Sequence, residues 1–145
     1  MEQSCRILNE YYANLRVLDN NLQNMSCNLI GSSFFGLNKK LEEYGSMVRT
    51  FYGLVAKRIR MLDGYPLTSL NKIEDVSTFK SMCSMDFTGQ QVFEVLENDF
   101  RFIVEFSKDL VHHFEEIKDP YSMQMLLQQY CFFEEQLWMI HTNLK

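Results

Sequence analysis

The residues able to do chemistry in this 145-residue chain are few: three histidines, four cysteines and nineteen acidic side chains. His112 and His113 are adjacent, and Glu116 follows them at helical spacing. Residues three and four apart share one helix face, so this trio could touch a single surface cation. A solvated helix end explains it equally, since histidine near a helix C-terminus suits the dipole. His141 stands near the end of the last helical pattern and reads as a surface residue. Cys5, Cys27, Cys83 and Cys131 form no Cys-x-x-Cys and no zinc-finger spacing with histidine. Buried or inert thiols are therefore expected. Glu115-Glu116 and Glu134-Glu135 read as charged helix faces. There is no Gly-x-Ser-x-Gly elbow and no Gly-rich phosphate loop.

The elements that position these groups are helices. Only 6 Gly and 2 Pro break the backbone, which favours long regular segments. Aromatic residues at 14% and hydrophobic residues at 46% supply a core and exclude disorder. One domain spanning 1–145 is expected. The net charge of −5 disfavours nucleic-acid and anionic-membrane partners, which need excess Lys and Arg. Basic residues concentrate in residues 31–64, Lys57, Arg58 and Arg60 among them. They read as a solvated or interface helix face. The start, MEQSCR, lacks the basic and apolar runs of a signal peptide. The uncharged stretch Asn20 to Asn38 is too rich in Asn and Ser to span a membrane. A cytoplasmic protein with reduced thiols is expected.

Four segments carry apolar residues at steps of three and four. They run Leu8 to Met25, Phe34 to Leu62, Val92 to Ile117 and Met123 to Ile140. Phe132-Phe133, Met123, Met125 and Met139 read as core or subunit contact. Asp63-Gly64-Tyr65-Pro66 ends the second segment, with Gly past the helix end and Pro soon after. Thr88 is a candidate N-cap for the third. Pro120 suits a first helical position in the fourth. Gly36 and Gly45 are expected where helices approach closely. The first and third links are short, so each joins an antiparallel pair. The middle link, Asp63 to Thr88, is long enough to travel the bundle length, and Ser69 to Val76 could form a short helix within it. This predicts an all-α, ferritin-like four-helix bundle with a long crossover carrying a short extra helix. A di-metal site inside such a bundle needs Glu-x-x-His on two helices. The sequence has none, and Asp109-Leu-Val-His112 is a single near match.

The ordered segments also resemble the Dps or mini-ferritin family, the DNA-binding proteins from starved cells. The resemblance rests on Leu8-Asn-Glu-Tyr-Tyr-Ala-Asn-Leu-Arg-Val-Leu18, Asn28-Leu-Ile-Gly31, Phe34-Phe35-Gly-Leu37 and Glu42-Glu43. Ala56-Lys-Arg58-Ile59, Leu62-Asp-Gly64-Tyr-Pro66-Leu-Thr-Ser-Leu70 and Leu137-Trp138-Met139 extend it over nearly the whole chain. It implies a spherical, usually dodecameric homo-oligomer that oxidises ferrous iron and stores the mineral. It also implies a metal site shared by two chains across a dimer interface.

Carried over position by position, the family's metal ligands fall on Ser26, Asn38, Glu42, Gly53 and Lys57. The family has histidines at the first two positions and carboxylates at the other three. Only Glu42 keeps a strong donor, and iron needs several. The resemblance therefore implies a degenerate ferroxidase centre with no metal expected and no usual enzymatic activity. The family positions of Glu42 and Lys57 face each other across the dimer, so these residues are expected to form an interface ion pair in place of the metal. The Lys-rich DNA-binding tail of some members has no counterpart, which disfavours DNA. The expected role is a structural or partner-binding shell. The alternatives are an iron-oxidising or iron-storing shell with a non-standard site, and a nucleoid-associated DNA-binding protein.

Overall fold

In the computed structural model, which describes residues 1–145, five helices follow one another: α1 (Glu2–Asn28), α2 (Phe34–Met61), α3 (Leu70–Val76), α4 (Gly89–Glu116) and α5 (Pro120–Leu144). They form two compact units, Met1–Gly89 and Gln90–Lys145. The only β feature is one isolated parallel bridge between Leu29 and Phe87.

In the first unit, α1 and α2 are antiparallel. Three rungs fix their register. Tyr12 meets Tyr52 edge-to-face at 5.7 Å, Asp19 pairs with Arg49 at 2.9 Å, and Ser26 meets Asn38. The predicted apolar stripe of α1 is the buried one: Leu8, Tyr11, Leu15, Leu18, Leu22 and Met25 are at most 1% exposed. Each such side chain contributes roughly 1.5–3 kcal/mol by leaving water. On α2 the stripe from Leu37 to Ile59 is buried in the same way. Between the helices Gly31 adopts φ 99°, a conformation open to glycine without steric cost.

The expected helix stop after α2 is present, with a different residue in the strained position. Asp63, not Gly64, has the positive φ, 66°. The Asp63 N–H donates to Arg60 O at 3.0 Å and the Gly64 N–H to Ile59 O at 2.9 Å. This is the Schellman arrangement, which satisfies the last carbonyls of the helix. Gly64 is required for another reason: a Cβ there would collide with Cys5.

The crossover then runs along α1 from its first turns to its last. Asn9 receives the Leu67 N–H at 3.0 Å and donates to Tyr65 O at 3.0 Å. Asn14 Oδ1 accepts from Ser77 Oγ at 3.1 Å, Thr78 N at 2.9 Å and Phe79 N at 3.2 Å. Asn21 donates to Lys80 O and receives the Met82 N–H, and Asn24 donates to Met82 O and Cys83 O. Finally the Phe87 N–H reaches Asn28 O at 3.0 Å. One asparagine face of α1 thus substitutes for a partner strand. Within the crossover, α3 covers Ala13 and Val17 of α1 with Ile73.

In the second unit, α4 and α5 are antiparallel. Phe100 meets Phe133 edge-to-face at 5.2 Å, and His141 Nδ1 lies 2.6 Å from Glu97 Oε2. The turn between them repeats the Schellman geometry, with Lys118 at φ 59° and the Asp119 N–H on Phe114 O at 2.9 Å. Asp119 then caps α5 by accepting from Ser122 N at 3.1 Å, with Pro120 in the first turn. Thr88 immediately precedes α4, at the position expected of a cap.

Some expectations are corrected. Cys27, Cys83 and Cys131 are exposed, and only Cys5 is partly buried. A Cβ on Gly36 would meet nothing within 4 Å, so no close helix contact demands it. At Gly45 a Cβ would lie 3.1 Å from the Arg49 guanidinium of the same helix and 3.6 Å from Asp19 of α1, an ordinary contact, so no close helix approach demands glycine there either. Ile117 lies beyond the end of α4 and is 50% exposed. His141 is exposed, as expected, and its Nδ1 also meets Glu97 Oε2.

Candidate functional site

The five positions singled out by the family resemblance fall into two groups along α1 and α2. Ser26, near the end of α1, is buried, and Asn38 faces it from the second turn of α2. The Asn38 amide nitrogen donates to Ser26 O at 2.6 Å and to Ser26 Oγ at 3.1 Å. A backbone carbonyl can only accept, so the amide orientation is fixed: nitrogen toward Ser26, oxygen away. Glu42 lies one turn further along α2 and is exposed. Gly53 and Lys57, also exposed, lie one turn from each other near the other end of α2. Glu42 and Lys57 are fifteen residues apart, or roughly 22 Å along a helix axis. One chain alone therefore brings Ser26, Asn38 and Glu42 together but leaves Gly53 and Lys57 remote.

The donors available are correspondingly poor for a transition metal. The first group offers a hydroxyl, an amide oxygen and one carboxylate. The second offers no side chain at Gly53 and an ammonium at Lys57. Iron favours several imidazole or carboxylate ligands, and this set does not fit it. Glu42 and Lys57 make no ion pair or hydrogen bond within their own chain.

The other predicted groups do not assemble a site either. The chain contains no cluster of three His, Cys, Asp or Glu side chains placed to hold a metal. His112, His113 and Glu116 are thus not gathered around a common point. The His113 ring stacks edge-on against Phe114 at 5.0 Å.

Sequence reasoning missed one polar cluster, between α1, α2 and the crossover. The Arg16 guanidinium lies over the Tyr12 and Tyr52 rings at 5.7 and 5.4 Å. It donates to Tyr12 Oη at 2.8 Å. Tyr52 Oη donates to Asp19 at 3.3 Å, and Asp19 is already paired with Arg49. Burial, reinforced by the Asp19 charge, pushes the Tyr52 phenol above its ordinary range. The cluster borders a cavity of about 420 Å³ together with Asn20 and Glu74. Asp19 is neutralised by Arg49, and Arg16 is held by the Tyr12 hydroxyl and two aromatic faces, so the cluster locks α1 to α2. The spacing Tyr12 to Arg16 was visible as one helix turn, but its partners on α2 were not.

The ferritin-like domain family matches residues 5–145. General stress protein 20U of Bacillus subtilis is 27% identical over 143 residues, covering 99% of this chain and 98% of that protein. The DNA protection during starvation protein of Helicobacter pylori is 23% identical over 138 residues, covering 95% and 96%. Among solved structures, Dps from Staphylococcus aureus superposes with a TM-score of 0.94 at 23% identity, over 100% of this chain and 97% of that one. A Listeria innocua Dps carrying two histidine-to-glycine substitutions superposes with a TM-score of 0.92 at 20% identity, over 97% and 93%. The likeness identifies α1, α2, α4 and α5 as the helices of a ferritin-like four-helix bundle, with α3 as the short helix of its crossover. The chain belongs to the ferritin-like domain family, as a member of its Dps or mini-ferritin branch.

Proposed function

We propose that this chain is the subunit of a Dps-like oligomeric shell, a dodecamer, that has lost the usual ferroxidase centre and serves a structural or partner-binding role. It acts as a single domain over 1–145, a reading supported by a family match that crosses both compact units. The observation that carries the loss of the centre is the Asn38–Ser26 hydrogen bond. At the two positions where the resemblance assigns histidines, the side chains are neutral and turned toward each other at 2.6 and 3.1 Å. The remote pair, Gly53 and Lys57, supplies no carboxylate to complete a site from another chain.

Ferrous iron, the substrate of active family members, tests this directly. Aerobic oxidation is followed with and without hydrogen peroxide, at subunit concentrations where the protein is assembled. The expected rate equals that of buffer. Fast, saturable oxidation would instead establish an iron-oxidising or iron-storing shell with a non-standard site, Glu42 being its one retained carboxylate.

The DNA-binding reading draws on the name of the Helicobacter pylori relative. Against it stand the net charge of −5 and the engagement of two basic residues of α2. Arg49 is paired with Asp19, and Arg60 stacks on Tyr65 at 4.6 Å while donating to Gly64 O at 2.8 Å. Mobility shifts at low salt, where phosphate attraction is strongest, are expected to show no complex.

A further inference from the structure

We infer that the cavity between α1, α2 and α3 binds a small organic monocarboxylate with an apolar body, and that the Arg16 guanidinium receives the carboxylate. This site stands apart from the iron chemistry and does not depend on the loss of the ferroxidase centre.

Arg16 is half-buried at the edge of a cavity of about 420 Å³, a size that suits a small organic ligand. Its one acceptor within the chain is the neutral Tyr12 hydroxyl, at 2.8 Å. A guanidinium carries five N–H donors in a planar fork, so most of them remain for a ligand. The Tyr12 and Tyr52 rings flank it at 5.7 and 5.4 Å. The cation is therefore held in place before anything binds, which lowers the ordering cost of binding. A carboxylate is the planar anion that such a fork meets with two parallel hydrogen bonds.

The two acidic side chains of the wall are engaged elsewhere. Asp19 accepts from Arg49 at 2.9 Å through Oδ1 and from Tyr52 Oη at 3.3 Å through Oδ2. Glu74 Oε1 accepts from the Ser81 N–H at 2.9 Å and from the Ser81 hydroxyl at 3.1 Å. Neither pairs with Arg16, yet both limit the charge of an incoming anion. Their repulsion acts twice as strongly on a dianion such as phosphate as on a monoanion. The rest of the wall favours an organic ligand. Val17, Leu70 and Ile73 supply aliphatic surface, and Leu70 is 73% exposed. An apolar body laid on Leu70 removes that surface from water. Asn20 and Asn71, both exposed, add neutral amide groups.

The experiment uses the intact, assembled protein in a buffer free of carboxylates and phosphate. The probes are benzoate, its neutral isostere benzamide, and inorganic phosphate. Equilibrium dialysis is expected to show one benzoate per chain, bound about tenfold or more tightly than either of the others. In methyl-labelled protein the Ile73 and Leu70 signals are expected to move with benzoate, and that of Ile30, outside the cavity, to stay. Benzoate bound no more tightly than benzamide, phosphate bound as tightly as benzoate, or unmoved Ile73 and Leu70 signals would each overturn the assignment.

Two variants locate the charge and the cavity. Arg16→Gln is expected to weaken benzoate about tenfold or more and to leave benzamide unchanged. Arg16 also holds α1 to α2, so Asn20→Trp supplies an independent arm: it fills the cavity from an exposed position and leaves Arg16, Tyr12 and Tyr52 in place. That variant is expected to keep parental helicity and assembly and to lose benzoate binding. A folded Asn20→Trp or Arg16→Gln protein that binds benzoate as the parent does overturns the site.

Discussion

Asn14, buried on α1, accepts the backbone N–H of Thr78 at 2.9 Å, sixty-four residues away in the sequence. The same oxygen takes the Phe79 N–H and the Ser77 hydroxyl, and the Asn14 amide nitrogen returns to Glu10 O at 2.8 Å. No apolar residue can answer these groups. Asn14→Leu leaves two crossover N–H groups without an acceptor, at a cost of about 1–3 kcal/mol for each group left buried. The expected loss is ~2–4 kcal/mol, measured as a lower urea midpoint by circular dichroism. An unchanged midpoint would mean that water reaches these amides.

Lys118 and Asp63 hold the left-handed position of their helix ends without being glycine. That conformation costs a residue with a Cβ roughly 1–2 kcal/mol, partly offset because glycine loses more entropy on folding. Lys118→Gly is expected to stabilise the protein by ~0.5–1 kcal/mol, or about 1–4 °C in melting temperature for a chain of this size. Calorimetry decides it, and a lower melting temperature would show that the Lys118 side chain makes a compensating contact.

Asp99 on α4 is half-buried, and that burial pushes its carboxyl up to about 6. The folded chain therefore holds the proton more tightly than the unfolded chain does, opposite to a salt-bridged aspartate. This group favours folding at low pH, and its contribution falls as pH rises from about 4 through about 6, then levels off. Asp99→Asn removes the charged form. The variant is expected to be more stable than the parent at pH 8, with the advantage shrinking toward pH 4. Paired denaturation curves across that range isolate the group, because the other carboxylates are common to both proteins.

Restoring the family's ligands tests the register on which the site rests. Ser26→His, Asn38→His, Gly53→Asp and Lys57→Glu, combined with the native Glu42, supply imidazole and carboxylate donors suited to divalent transition metals. Zinc titration by calorimetry is expected to show binding to the assembled variant and none to the parent. Helical, assembled variant that takes up no zinc would falsify the assigned positions.

The helices could be read from the sequence because apolar residues at steps of three and four have only one face to bury. From Val92 through Leu96, Phe100, Ile103 and Leu110 to Phe114 the predicted stripe of α4 is the buried one. Pro120 announced the start of α5 for a local reason, and the structure adds Asp119 as its cap. What stayed hidden depends on distant partners. Asn9, Asn14, Asn21 and Asn24 look like an ordinary polar face until the crossover is laid against them. The exposure of Cys27 and Cys83 follows from the same route of the chain, which spacing does not encode. Gly64 drew attention as a helix stop and concealed that Asp63 makes the turn. At the candidate site, residue types alone indicated weak ligands, but the Asn38–Ser26 bond needed both helices in place.

The asparagine face of α1 also has a kinetic meaning. Every side-chain tether from α1 to the crossover links residues more than fifty positions apart, while the rungs between α1 and α2 close much shorter loops. Closing the longer loops before the hairpin exists costs chain entropy with little return. The crossover should therefore latch last and unlatch first, as a unit, over a hairpin that stays folded. In native-state hydrogen exchange the amides of Thr78, Phe79, Met82 and Phe87 would share one opening free energy, below that of the core amides of α1. The face of α1 beneath them is then a transiently open surface in an otherwise intact protein.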